Sequence, residues 1–105
     1  MNQNLIKALH FLRTTDLPQA RNRIYDRGAC CALGAMIYAI EGPPDRPERR
    51  GFQAWTKYAT ATPYTDLAVD LGLSCPLLVS NITDWNDHSR LTFPEIADRI
   101  EASCR

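Results

Sequence analysis

No run of apolar residues in this chain approaches the ~20 that a membrane-spanning helix needs, and Lys7, His10 and Arg13 interrupt the N-terminal apolar residues before a signal-peptide core could form. The expectation is a cytoplasmic protein with reduced thiols and no membrane partner. Net charge is also missing. Twelve basic and twelve acidic side chains cancel, so no overall field draws the molecule to nucleic acid or an anionic surface. No stretch alternates polar and apolar residues for long enough to predict a strand. Paired C-x-x-C spacing is absent too. The cysteines stand at positions 30, 31, 75 and 104, with His10 and His88 remote from them, so no metal site and no cofactor is expected.

What remains is an ordinary globular composition of 105 residues, 45% apolar and 23% charged, which predicts one domain spanning 1–105. The cancelled charge hides a gradient. Residues 1–27 hold five basic side chains against Asp16 and Asp26, whereas residues 66–105 hold seven acids against Arg90, Arg99 and Arg105. The two ends are therefore expected to attract one another across a small fold.

The apolar periodicity is helical. Leu5, Ala8, Leu9 and Leu12 recur at spacings of three and four, predicting a helix over 4–14 that stops before Pro18. Residues 18–28 are polar and arginine-rich and read as an ordered loop or one short turn ending at Gly28. A central helix is predicted over 29–41, apolar on nearly every side and so buried by its neighbours. Gly34 within it costs about 1 kcal/mol relative to alanine, which predicts the close approach of another helix. The proline-rich stretch 42–51 is a solvated loop, and 52–62 is ambiguous. A short helix over 63–71 is closed by Gly72. Ser74 and Pro76 start another, with Leu77, Leu78 and Ile82 as its stripe and its end near Trp85. Thr92, Pro94 and Glu95 form the capping box of a last helix, whose stripe is Phe93, Ile96, Ala97, Ile100 and Cys104. The predicted class is all-α, about five short helices around the buried helix 29–41.

Chemistry is less legible. A thiol at a helix start is where a thiolate is favoured, so Cys30 or Cys31 with His88 as base and Asp87 as its orienting acid would make a thiol-dependent hydrolase. Against it, Ala29, Ala32 and Leu33 offer nothing polar to hold an oxyanion. Adjacent cysteines also form a disulfide only through a strained ring, so free, buried, structural thiols are expected. The segment Trp85-Asn86-Asp87-His88-Ser89-Arg90 reads as a turn built by side chains bonding their own backbone. Asp84, Asp87 and Glu95 could suggest Mg²⁺, but Glu95 already has its capping role. Arg21, Arg23 and Arg27 could touch phosphates. Three arginines with only Tyr25 among them are a thin nucleic-acid footprint. A Phe52, Trp55 and Tyr58 stripe of this kind is more often core than a binding platform, and an exposed aromatic patch here would mark a partner surface.

Taken in order, Pro18-Gln19, Cys30-Cys31-x-Leu33-Gly34, Leu71-Gly72-Leu73, Asn86-Asp87 and Phe93-x-Glu95-Ile96-Ala97-Asp98-x-Ile100-Glu101 give the chain a resemblance to a group of small proteins common in bacteriophages and bacterial genomes, a domain of unknown function. Residues 43–62 depart from that pattern. The resemblance implies no activity and transfers no catalytic residue; its phage association implies binding, and inhibition, of a host or phage protein. The expected function is thus a non-enzymatic helical module that binds a protein partner. Its expected contact residues are Arg21, Arg23 and Arg27 in one loop, and Arg46, Arg49, Arg50, Trp55 and Tyr58 in the other. An exposed Trp55 would equally serve a homodimer. The thiol hydrolase is the alternative, and nucleic-acid binding ranks below both.

Overall fold

Asn2 starts the first helix: its side-chain oxygen accepts from the amides of Asn4 (2.7 Å) and Leu5 (3.2 Å). Helix α1 (Gln3–Thr14) then buries Leu5, Ala8, Leu9 and Leu12, the stripe that its periodicity predicts. The structure is a computed structural model in which residues 2–73 and 79–104 are described.

The arginine-rich segment forms a miniature antiparallel hairpin rather than a loop. Strands β1 (Tyr25–Asp26) and β2 (Ala29–Cys30) pair Tyr25 with Cys30 and Asp26 with Ala29. Arg27 and Gly28 make the two-residue turn, both left-handed, with φ of 52° and 90°. This hairpin delays the central helix. α2 spans Ala32–Glu41, because the backbone of the preceding residues is already engaged. Cys30 donates to the Pro18 carbonyl (3.0 Å), its own carbonyl accepts from Ala20 (2.7 Å), and Cys31 donates to Ile24 (3.2 Å). Groups paired across the chain cannot also join a helical ladder.

Gly34 faces the hairpin, not another helix. A Cβ there would lie 1.9 Å from the Ile24 carbonyl oxygen, so only glycine lets β1's approach pass so close to α2. As predicted, α2 is sealed: every residue from Ala32 to Ile37 is buried. It packs on α1 and on the fourth helix, and stops at Gly42, whose φ is 85°.

The ambiguous stretch holds two 3-10 helices, Gly51–Ala54 and Thr56–Tyr58, with Trp55 between them. Helix α3 (Pro63–Leu71) ends at the left-handed Gly72, as expected. Helix α4 (Val79–Asp87) buries Ile82 and continues through Trp85 to Asp87; the predicted start at Ser74 and Pro76, with Leu77 and Leu78, lies outside the described residues. Helix α5 (Phe93–Ser103) carries the predicted capping box, with Thr92 donating from its amide to Glu95 Oε1 (3.0 Å). Phe93, Ile96, Ala97 and Ile100 are its buried stripe, whereas Cys104 is an exposed C-cap and drops out of it.

The attraction between the two ends is visible at α5. Arg13 in α1 pairs with Asp98 at 2.9 Å and with Glu101 at 3.6 Å. Buried side chains of all five helices, the hairpin and the 3-10 segment join in one apolar cluster. Among the described residues no helix is long and apolar enough to cross a membrane.

Candidate functional site

The motif residues converge on Asn86, which is fully buried at the end of α4. Its Oδ1 accepts from Gln19 Nε2 (2.7 Å) and from the Ala32 amide (2.9 Å). Its Nδ2 donates to the Ala20 carbonyl (2.8 Å) and to Asp87 Oδ1 (2.7 Å). Both acceptor sites and both donors of the amide are thus filled. Asp87 Oδ1 also accepts from the Asn22 amide at 2.8 Å. Arg21 donates to the carbonyls of Asn86, Leu91 and Arg90.

The 85–90 segment does not bond mainly to itself: α4 runs through Asp87, and the Asn86 and Asp87 side chains hold the 19–22 segment and the start of α2. Arg21 is half-buried and engaged in this clasp, so it is a structural residue rather than a free contact arginine.

Trp55 and Tyr58 are core residues and not the contact residues that the sequence predicts. Both are buried, Trp55 edge-on to the Tyr25 ring at 5.4 Å between centroids. Trp55 Nε1 donates to the Gly42 carbonyl (3.0 Å), and the Tyr58 hydroxyl to Asp70 Oδ2 (2.6 Å). Each polar tip is satisfied inside the fold, which is how a large aromatic ring settles in a core. In the folded chain they form neither a partner patch nor, for Trp55, a dimer contact.

The thiols are core atoms. Cys30 and Cys31 are 1% and 2% exposed and not bonded to each other. Burial pushes Cys30 up to about 12, with Cys31 beside it adding to the shift. Burial likewise pushes Cys31 up to about 11; the Gly34 and Leu33 amides at the helix start oppose this, and Asp87 reinforces it. Desolvation beats the helix terminus here. Both remain protonated at neutral pH, the wrong state for a nucleophile.

His88 is exposed, with Nδ1 3.3 Å from Asp84 Oδ1. The imidazole therefore pairs one helical turn back, and Asp87 turns instead to Asn22 and Asn86. Of the predicted triad, Cys31 and Asp87 meet at one cleft and His88 stands outside it. The three acids considered for Mg²⁺ are divided among His88, the Asn22 amide and the capping box.

That cleft, about 280 Å³, lies between the hairpin, the turn at Arg50 and Gly51, α3 and α4. Arg23, Arg50, Tyr64 and Thr83 line it together with Cys31 and Asp87. Packing of β1 on the Gly51–Ala54 turn brings the two arginines together from separate loops. Each points its Nε at Asp26: Arg23 to Oδ2 and Arg50 to Oδ1, both at 3.7 Å. Asp26 Oδ1 is buried and has no hydrogen bond. Arg27, Arg46 and Arg49 are exposed on the same two loops. Tyr64, Thr83 and the shared counter-ion Asp26 have no sequence signal, since none belongs to a recurring pattern. A second concavity, about 490 Å³, opens between α3 and α4 and shares Tyr64 and Thr83 with the first.

Fold and cleft define a small, mainly α-helical domain clasped by a two-stranded hairpin. The chain belongs to a family of unknown function, DUF6197, whose model matches residues 1–103. No curated protein and no solved structure gives a significant match.

Proposed function

We propose that this chain is a non-enzymatic interaction module that binds a protein partner through the face carrying Arg23, Arg27, Arg46, Arg49 and Arg50. The observation that carries this reading is the convergence of Arg23 and Arg50, 50% and 58% exposed, on one cleft with a single shared carboxylate. A guanidinium presents a planar fork suited to carboxylates on another surface. Arg27 adds a second support. It sits at the hairpin tip with φ of 52°, where asparagine or glycine would sit with less strain. This conformation places an exposed cation at the tip of the hairpin.

The protonated thiols favour binding over catalysis. The motif order, with its resemblance to small phage and bacterial proteins, supports a cytoplasmic, phage-related setting in which the partner is a host protein and binding inhibits it. The test is affinity capture from the native host with the full chain as bait, beside the triple variant R23E/R27E/R50E. One protein retained by the parent and lost at least tenfold by the variant supports the reading. Equal capture by both baits, or capture only of nucleic acid, sinks it.

A further inference from the structure

The cleft at Arg23 and Arg50 has the chemistry to say what it takes. Both guanidinium groups approach Asp26 only by Nε, and at 3.7 Å neither makes a hydrogen bond to it. Among the described residues neither arginine donates a hydrogen bond elsewhere. The terminal nitrogens of both forks are therefore available to a further acceptor. Asp26 works as an internal placeholder, a carboxylate near both cations but bonded to neither.

Charge limits the ligand. Two guanidinium groups face Asp26 and, in the cleft lining, Asp87. These four charges cancel, so the site favours the ligand that adds least: a carboxylate brings one negative charge and a phosphate dianion two. Volume limits it further. About 280 Å³ falls at the bottom of the ~300–1,000 Å³ range of ligand pockets, which suits one side chain and excludes a large cofactor. Ile24, Tyr25 and Tyr64 supply apolar walls for a short methylene stem. The site is also held in place: Asn22, next to Arg23, is left-handed (φ 62°) and tied to Asp87, which is tied in turn to the buried Asn86. Preorganisation of this kind lowers the ordering cost of binding.

We infer that this cleft is a carboxylate socket, in which Arg23 and Arg50 grip the side chain of one glutamate or aspartate of a protein partner. The inference rests on the binding-module reading and names the chemistry of its central contact. Bidentate bonds from the Nη atoms to the incoming carboxylate replace solvent, while Asp26 stays at the Nε edge. The exposed Arg27, Arg46 and Arg49 then meet the surface around that acidic residue.

The experiment titrates isotope-labelled full-length chain with the peptide acetyl-Gly-Glu-Gly-amide and follows arginine Nε–H and backbone amide signals by NMR. The glutamine peptide and inorganic phosphate are run in parallel. Saturable shifts at Arg23, Arg50, Tyr64 and Thr83 with the glutamate peptide alone are expected at millimolar concentration. Affinity should fall at least fivefold in R23Q and in R50Q, both exposed positions, and hold in R13Q, which alters a cation paired with Asp98 and Glu101 outside the cleft lining. Absent or unsaturable shifts, equal response to the glutamine peptide, tighter binding of phosphate, or an equal loss in R13Q each overturn the socket. The two readings separate cleanly. If the glutamate peptide fails while R27E/R46E/R49E still abolishes partner capture, the module stands without this socket. If the peptide binds and no partner is captured, the cleft's carboxylate chemistry stands, while its assignment to a protein partner falls with the module reading.

Discussion

Asn86 Oδ1 accepts the amide proton of Ala32 at 2.9 Å, so the buried start of the central helix is capped by a side chain 54 residues farther along the chain. Helix starts leave amides without partners, and α2 has no side-chain cap of its own from Cys31. The same amide group holds Gln19 and Ala20. One residue therefore closes the hairpin segment, α2 and α4 on one another. Removing it strands several buried groups at once.

Asn86→Ala is expected to cost about 3 kcal/mol, given roughly 1–3 kcal/mol for each buried group left unsatisfied and partial relief by water. Asn86→Asp should be worse, because its charge enters a fully buried site and faces the Ala20 carbonyl and Asp87, both acceptors. Urea unfolding of the three proteins measures this. A loss below about 0.5 kcal/mol for the alanine variant would show that the clasp is not holding the fold.

Gly34→Ala tests the close approach of the Ile24 backbone to α2. The added methyl would meet the Ile24 carbonyl oxygen, a backbone atom that can move only with the hairpin. Overpacking of this kind costs about 1–3 kcal/mol or more. The displaced hairpin should also uncover Cys31, whose amide bonds Ile24. Faster labelling of Cys31 by a thiol reagent at neutral pH, read by peptide mass spectrometry, is the expected signature. Unchanged labelling together with unchanged stability would contradict this packing.

Tyr58→Phe removes one short bond and nothing else of size. The hydroxyl donates to Asp70 at 2.6 Å, and Lys57 pairs with the same carboxylate at 2.8 Å. Loss of a hydrogen bond to a charged group predicts destabilisation of about 1.5–3 kcal/mol. These two partners, Lys57 first, hold the Asp70 carboxyl below its ordinary range. A depressed folded value contributes stability that is present above the ordinary 3.8 and lost as pH falls through the folded value. The Phe variant should thus lose less stability than the parent between pH 4 and pH 2. Parallel acid curves for both proteins would refute the coupling.

What the sequence made legible follows the range of the interactions. Helices α1 and α5 are local objects: an apolar stripe at spacings of three and four, and a cap within three residues of the start. Both sit where periodicity puts them. The start of α2 is displaced because Pro18, Ala20 and Ile24 claim the backbone of Cys30 and Cys31, and no local pattern announces a pairing between those segments. Trp55 and Tyr58 have helical spacing that favours core but fits a contact patch as well; Gly42 and Asp70, reached through tertiary packing, decide for core. The cleft was illegible for the same reason. Arg23 and Arg50 meet because β1 packs on the turn beginning at Gly51. Asn86 did stand in a quoted motif, but its partners lie up to 67 residues away, beyond any spacing rule.

The buried thiols make stability depend on alkaline pH. The ordinary thiol value is 9.0, and burial raises Cys31 to about 11 and Cys30 to about 12. For groups raised in the folded state, the stabilising contribution is complete below the unfolded value and is lost as pH rises through the folded one. Tyr58, raised chiefly by burial, adds to the loss from its ordinary value of 10.0 upward. Each pH unit is worth about 1.4 kcal/mol per proton, so each thiol contributes a fall of roughly 2 kcal/mol in unfolding free energy between pH 9 and pH 11, and the two thiols with Tyr58 together roughly 5 kcal/mol. Cys31→Ala should flatten that slope while retaining the part due to Cys30 and Tyr58. Below pH 8 the parent and Cys31→Ala should show parallel pH dependence, offset only by the packing lost with the sulfur. Denaturant titrations at pH 7, 9, 10 and 11 resolve the two curves. A parent protein equally stable at pH 9 and 11, or a Cys31 that labels at neutral pH as fast as the exposed Cys104, would mean that the sulfur is not sealed in the core.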